Sequence, residues 1–234
     1  MSTPPSTGRI QPLADDAWLI ELGDAIDDTT NARAHALAAT IRRAAPRWLR
    51  DLVPGYASLG VFFDVRVASA IEVRDCLLRA WAALPDRSPV DDLARTVEIP
   101  VLYGGDAGAD LINAAAELGL DPDILVQRHA AAVYLVAMIG FAPGFPYLSG
   151  LDPALALPRL ATPRTHVPAG SVAIGGGQTG IYPRDSPGGW RLLGRTPLSL
   201  FDPSRDPPSL LAPGDRVRFR AIDARAFVRL EREA

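Results

Sequence analysis

A chain of 234 residues with 48% hydrophobic and 22% charged residues can bury one large core or two small ones, and that balance excludes a disordered chain. A net charge of -3, with arginines scattered rather than blocked, leaves no basic footprint for nucleic acid, and no apolar run reaches the roughly 18 residues of a membrane span. All 24 residues counted as Lys plus Arg are arginine, which excludes a P-loop lysine, a Schiff-base lysine and a biotin-bearing lysine.

The opening segment, Met1 to Arg9, has no apolar h-region, so a cytoplasmic location is expected. The run Ala17–Leu22 suits a strand, and residues 29–45 carry Ala34, Leu37, Ile41 and Ala45 at helical spacing until Pro46 ends the helix. Leu59 to Val67 is rich in β-branched and aromatic residues and reads as a strand, after which Ser69 and Glu72 form a capping box. The lone cysteine, Cys76, falls in that second helix; its position predicts a buried structural residue, and no internal disulfide is possible. These elements make a small α/β domain over residues 1–87, bounded by the polar, proline-flanked stretch Leu84–Pro89.

The second domain, residues 88–234, opens with a strand over Arg95–Leu102 and a glycine turn at 104–108. Two helices follow, one over Asp110–Leu118 and one started by Asp121 as cap and Pro122 at the first helical position. Residues 140–214 then hold 13 of the 22 prolines and 12 of the 20 glycines, a punctuation that excludes long helices. Short strands at 170–174, 190–193 and 216–221 argue for a compact β-barrel.

Three stretches of this barrel invite chemistry. The loop Gly140-Phe-Ala-Pro-Gly-Phe-Pro-Tyr-Leu148 fixes its backbone with two prolines, which suits a pocket wall carrying Phe141, Phe145 and Tyr147; the same rings equally suit the capping of a core. In Pro158-Arg-Leu-Ala-Thr-Pro-Arg164 the prolines stiffen the chain around two guanidiniums able to fork onto an anion, with a surface ion pair to Asp152 or Asp185 as the alternative. Gly175-Gly-Gly-Gln-Thr-Gly-Ile-Tyr182 exposes backbone N–H groups that can cradle an oxyanion, and equally reads as a hairpin turn; lacking a following Lys-Ser/Thr, it is not a Walker motif.

Taken with Val167-Pro-Ala-Gly-Ser-Val172, Ser186-Pro-Gly-Gly-Trp190 and Gly194-Arg-Thr-Pro197, these stretches resemble the signature of the KipI/allophanate hydrolase subunit 1 family, in order and over nearly the whole chain. The resemblance implies an α+β protein with a small α/β, ferredoxin-like N-terminal domain and a cyclophilin-like β-barrel. Many members are B subunits of ATP-dependent 5-oxoprolinases, which convert 5-oxo-L-proline to L-glutamate together with a LamB/YcsF-like partner and a carboxyltransferase-like partner. Others inhibit a sporulation histidine kinase or form part of a urea carboxylase. The implied cofactor is ATP with Mg2+ in the assembled complex, none being held by this chain alone. On the matching motifs the catalytic candidates are His129, as a proton shuttle, with Arg164 and Arg195. The substrate-binding candidates are Phe141, Gly144, Tyr147, Arg159, Ser171, Gln178, Tyr182, Trp190 and Thr196. No metal site is assigned; His166 is a weaker candidate and His35 reads as structural.

Overall fold

A computed structural model describes residues 8–84 and 95–233 and separates the chain into two compact units, Met1–Leu93 and Ala94–Ala234. The expected division at residue 87 lies outside the described residues. The protein is α+β, and its second unit contains a closed seven-stranded barrel.

The first unit runs β1 (Arg9–Ala14), β2 (Ala17–Glu21), α1 (Asp28–Ala44), β3 (Leu49–Pro54), β4 (Ser58–Phe63) and α2 (Ala70–Ala82), with the strands in the order β1-β2-β4-β3, all antiparallel to their neighbours. Helix α1 starts where Asp27 accepts from the Thr30 N–H at 2.8 Å, and it ends at Ala45 in the left-handed conformation. It buries Ala34, Leu37 and Ile41 of the predicted stripe, together with Ala38, whereas Ala45 lies beyond the helix and is exposed. The capping box of α2 is formed as read: Ser69 Oγ accepts from the Glu72 N–H at 3.3 Å, and Glu72 Oε2 accepts from the Ser69 N–H at 2.8 Å. Cys76 is half-buried beside the buried Val73 and Leu77.

One expectation is corrected in this unit and another is not confirmed. The strand from Leu59 stops at Phe63 rather than Val67, because the Asp64 carboxylate accepts the Arg66 N–H at 2.9 Å and pairs with its guanidinium at 2.6 Å, turning the chain. Among the described residues the chain order is β-β-α-β-β-α, which does not confirm the β-α-β-β-α-β order of a ferredoxin-like domain. A split β2-α1-β3 unit encloses β4, but the strand beside β2 is the N-terminal β1, paired through Ile10–Ile20 and Pro12–Trp18.

The second unit contains β5 (Thr96–Tyr103), α3 (Leu111–Leu118), α4 (Pro122–Ala131), β6 (Val133–Ile139) and β7 (Pro146–Ser149). It continues with β8 (Arg164–Val167), β9 (Ser171–Gly175), β10 (Gln178–Ile181), β11 (Ser186–Gly188), β12 (Arg191–Arg195), β13 (Arg216–Ala221) and α5 (Ala224–Glu233). The barrel closes in the order β10-β7-β6-β13-β5-β12-β9, with β13 and β5 the parallel pair, and β8 and β11 form a separate two-stranded flap. Its interior is apolar: Ile99, Val101, Tyr134, Val136, Leu148, Val172, Ile174, Ile181, Leu193 and Val217 are fully buried. Among the described residues no helix is long and apolar enough to cross a membrane.

The α2 cap gives a direct check on the first unit. Ser69→Ala removes the acceptor for the Glu72 N–H and half of the reciprocal box, so urea unfolding of the chain should show the N-terminal unit weakened by about 1 kcal/mol with the barrel transition unmoved.

Candidate functional site

The surface of the barrel, not its interior, carries a cleft of about 220 Å³ lined by Phe141, Phe145, Tyr147, Arg159, Pro163, Tyr182, Pro187, Gly188, Gly189 and Trp190. Its floor is an aromatic cluster in edge-to-face packing. Phe145 meets Trp190 at 5.7 Å and 87°, Tyr182 at 5.3 Å and 85°, and Tyr147 at 4.9 Å between ring centroids. The glycines of the motif explain how such large rings lie flat on strands. A Cβ on Gly175 would stand 2.6 Å from the Trp190 ring, one on Gly180 would stand 3.1 Å from both Phe145 and Trp190, and one on Gly188 would stand 2.3 Å from the Tyr182 hydroxyl.

The cleft's cation is Arg159, whose guanidinium carbon lies 5.7 Å from the centre of the Trp190 ring. Its backbone is clamped on both sides, since Arg191 Nε donates to the Pro158 carbonyl at 3.3 Å and the Leu160 N–H donates to the Gly189 carbonyl at 2.7 Å. No carboxylate of the described residues pairs with Arg159, and no acidic side chain lines the cleft. Burial raises the Tyr182 phenol above its usual value, partly offset by the Trp190 backbone N–H that it accepts and by the charges of Arg159 and Arg164, so the hydroxyl stays protonated. At the rim, Phe141 is 62% exposed and has φ of +65°, a backbone state that bulky side chains rarely adopt. Its loop is held there by the Ala142 N–H on the Gly140 carbonyl at 2.7 Å and the Phe145 N–H on the Ala142 carbonyl at 3.0 Å.

Five of the sequence candidates therefore meet in the cleft: Phe141, Tyr147, Arg159, Tyr182 and Trp190. The others do not line it. Gly144 is buried with φ of +79°, and a side chain there would strike Phe201 Cβ at 2.7 Å. Ser171 is buried with its carbonyl accepting the Tyr182 N–H at 2.9 Å, and Thr196 Oγ1 caps the Leu198 N–H at 3.3 Å. Gln178 opens β10 beyond a two-residue Gly176-Gly177 turn, and the Gly176 N–H is taken by the Leu157 carbonyl at 2.7 Å. The glycine triplet thus forms the β9–β10 hairpin turn, with the Gly176 N–H already taken.

The three catalytic candidates are also redirected. His129 is fully buried, with Nδ1 2.8 Å from the Tyr103 hydroxyl and Nε2 2.9 Å from Thr179 Oγ1. Thr179 donates its hydroxyl proton to the Ala173 carbonyl at 2.9 Å, so it accepts from Nε2–H, and Nδ1 accepts from Tyr103. Burial depresses the imidazole to about 3, so it is neutral near pH 7 and unsuited to shuttling protons. Arg164 donates to Asp110 Oδ1 at 2.6 Å, while Asp110 Oδ2 accepts the Leu192 N–H at 2.7 Å. Its partner is neither Asp152, which faces Arg128 at 3.7 Å, nor Asp185, which faces His166 at 3.1 Å. Arg195 is used as a tie: Nε donates to the Ala169 carbonyl at 2.8 Å and the guanidinium covers the Phe227 ring of α5 at 5.7 Å. His166 is exposed, and His35 is bonded to Asn31 Oδ1 at 3.1 Å on α1.

Residues 8–211 match the family model of the carboxyltransferase domain, subdomain C and D. The chain belongs to that family. It is 39% identical over 229 residues to the 5-oxoprolinase B subunit of Bacillus subtilis (strain 168), covering 94% of this chain and 95% of the relative. To the 5-oxoprolinase B subunit of Escherichia coli O157:H7 it is 47% identical over 169 residues, 72% of this chain and 76% of the relative. The crystal structure of TTHA0988 superposes with a TM-score of 0.77 at 42% identity over 89% of this chain, which spans 40% of that protein.

The family's signature arginines thus fall into separate roles, and the buried groups behind them can be checked by two substitutions. Asp110→Ala leaves the Leu192 N–H and Arg164 without their acceptor and should cost about 3 kcal/mol of barrel stability in urea unfolding. For His129, the unfolded imidazole binds a proton near 6.5 whereas the folded one does so only near 3. Its contribution is therefore full above pH 6.5 and is lost on acidification toward 3, at about 1.4 kcal/mol per pH unit. Urea midpoints between pH 7 and 5.5 should consequently fall less steeply in His129→Gln than in the parent.

Proposed function

We propose that this chain is the B subunit of an ATP-dependent 5-oxoprolinase, a cytoplasmic enzyme that opens 5-oxo-L-proline to L-glutamate. The observation that carries this reading is identity of 39% over nearly the full length of both chains with a protein of that name. In this reading the barrel is of the cyclophilin-like kind. The partners are the LamB/YcsF-like and the carboxyltransferase-like chains of the same enzyme, in keeping with the fact that the module is two fifths of the longer TTHA0988 chain.

Ring opening of a lactam needs its carbonyl activated, because amide resonance leaves that carbon weakly electrophilic. ATP with Mg2+ supplies the activation in the assembled enzyme. The described residues of the cleft and the glycine turn do not fit the nucleotide. The cleft, at about 220 Å³, is smaller than the roughly 300–1,000 Å³ of drug-sized ligand sites, the glycine turn has its Gly176 N–H committed, and no lysine exists to meet a phosphate. Its contribution is a small-molecule site, where Arg159 meets a carboxylate and the aromatic floor excludes water from one face of the ligand.

Reconstitution tests the assignment. The purified chain alone should release no glutamate from 5-oxoproline, and adding both partner chains with ATP should restore turnover. Glutamate release by this chain alone would refute the partner requirement, and an inactive full set of chains would refute the assignment.

A further inference from the structure

The cleft has a charge asymmetry that its proposed substrate and product would feel differently. Arg159 is held over Trp190 by backbone bonds on both sides and has no carboxylate partner among the described residues, while the lining contains no aspartate or glutamate. Tyr182 lines the same cleft and keeps its proton because burial raises its phenol above the usual value, which makes it a neutral donor beside that cation. The site therefore offers a guanidinium for a carboxylate, a hydroxyl for a carbonyl oxygen and an apolar wall for a ring. It offers no carboxylate for an ammonium group.

We infer that the cleft binds the closed lactam acid and rejects the open amino acid, so that ring opening itself expels the product from this chain. This rests on the 5-oxoprolinase reading and goes beyond it by assigning substrate recognition to this chain and a cause to product release. In 5-oxoproline the ring nitrogen is an uncharged amide, and the only full charge is the carboxylate that Arg159 pairs with. In L-glutamate the same nitrogen is an ammonium beside a like charge, with no carboxylate in the lining to meet it, and the former ring carbonyl is a second carboxylate that competes with the first for the single guanidinium. Discrimination by an unpaired, desolvated charge acts against the wrong ligand and needs no further contact to the correct one.

Calorimetric titration of the full chain, without partners or ATP, tests the inference with four ligands: 5-oxo-L-proline, L-glutamate, L-proline and 5-oxoprolinamide. Saturable binding of 5-oxo-L-proline is expected, with L-glutamate and L-proline weaker by about tenfold or more for their ammonium groups, and the amide weaker by about tenfold to hundredfold for its missing carboxylate. Arg159→Gln should bind 5-oxo-L-proline no better than the parent binds the amide, with an unchanged melting temperature because the side chain is exposed. Equal affinity for L-glutamate, unaltered binding by the folded Arg159→Gln variant, or no saturable binding of 5-oxo-L-proline would each overturn the inference. These outcomes are distinct from those of reconstitution: an active complex built on a chain that binds no lactam leaves the 5-oxoprolinase reading standing and removes only this one.

Discussion

The architecture of the site depends on bare backbone under aromatic rings. Gly175 and Gly180 lie on the two strands of the β9–β10 hairpin, and the Trp190 indole fills the volume that a side chain on either would need. With Trp190 lying against the strands, Phe145 meets both its ring and that of Tyr182 edge to face, and Gly188 lets the Tyr182 hydroxyl approach the flap strand β11. A methyl group at any of these three positions would lift a ring by an amount that close-packed interiors do not absorb. The cleft is therefore set by three absent side chains as much as by the ten residues that line it.

The same hairpin explains why His129 lies away from the cleft. Side chains alternate across a strand, so consecutive residues of β10 serve opposite sides of the barrel wall. Thr179 points inward and accepts from His129 in the core, whereas Gly180 lies outward beneath Phe145 and Trp190. Inside, Tyr103, His129, Thr179 and the Ala173 carbonyl form a chain in which each donor has an acceptor, and Phe219 stacks on the imidazole at 4.7 Å. A buried polar chain with every group satisfied rigidifies a core and carries little cost, which accounts for a histidine deep in an apolar barrel.

Sequence patterns expose those elements whose signals are local. The α1 stripe, the Ser69–Glu72 box, the Asp121-Pro122 start of α4 and the change to short strands after Gly140 all follow from neighbouring residues, and the structure has them. Strands β1 and β3 are faint in the sequence because they are sheet edges carrying Pro12 and the pair Arg50-Asp51, which weaken the alternation that marks a strand. Helix α5 is absent from the expected elements although its two-sided pattern, with Phe227 buried, is a signal the sequence does carry. Five of the twelve site candidates converge because aromatic rings flanked by glycine and proline announce a packed surface cluster. Ion-pair partners have no such signal: Asp110 is 54 residues from Arg164, and nothing near either one announces the pairing.

Three arginines of one signature have three electrostatic fates, and the difference is what favours Arg159 as the ligand's partner in the proposed reading. Arg164 is neutralised by a buried carboxylate that also anchors β12, and Arg195 gives its Nε to the Ala169 carbonyl, faces the Glu231 carboxylate at 3.9 Å and covers Phe227. Arg159 alone of the three combines a backbone fixed on both sides with a guanidinium that no described carboxylate balances, set over an indole whose ring face favours cations. Anchoring the backbone on both sides of Arg159 removes part of the ordering cost when a counter-charge arrives. The strained and exposed Phe141 stands at the rim of this same cleft, where backbone strain is retained only if the surrounding hydrogen bonds over-determine it. Charge, rigidity and strain thus coincide at one surface of the barrel, and that coincidence, rather than the presence of arginine in a motif, is what distinguishes a binding position from a structural one.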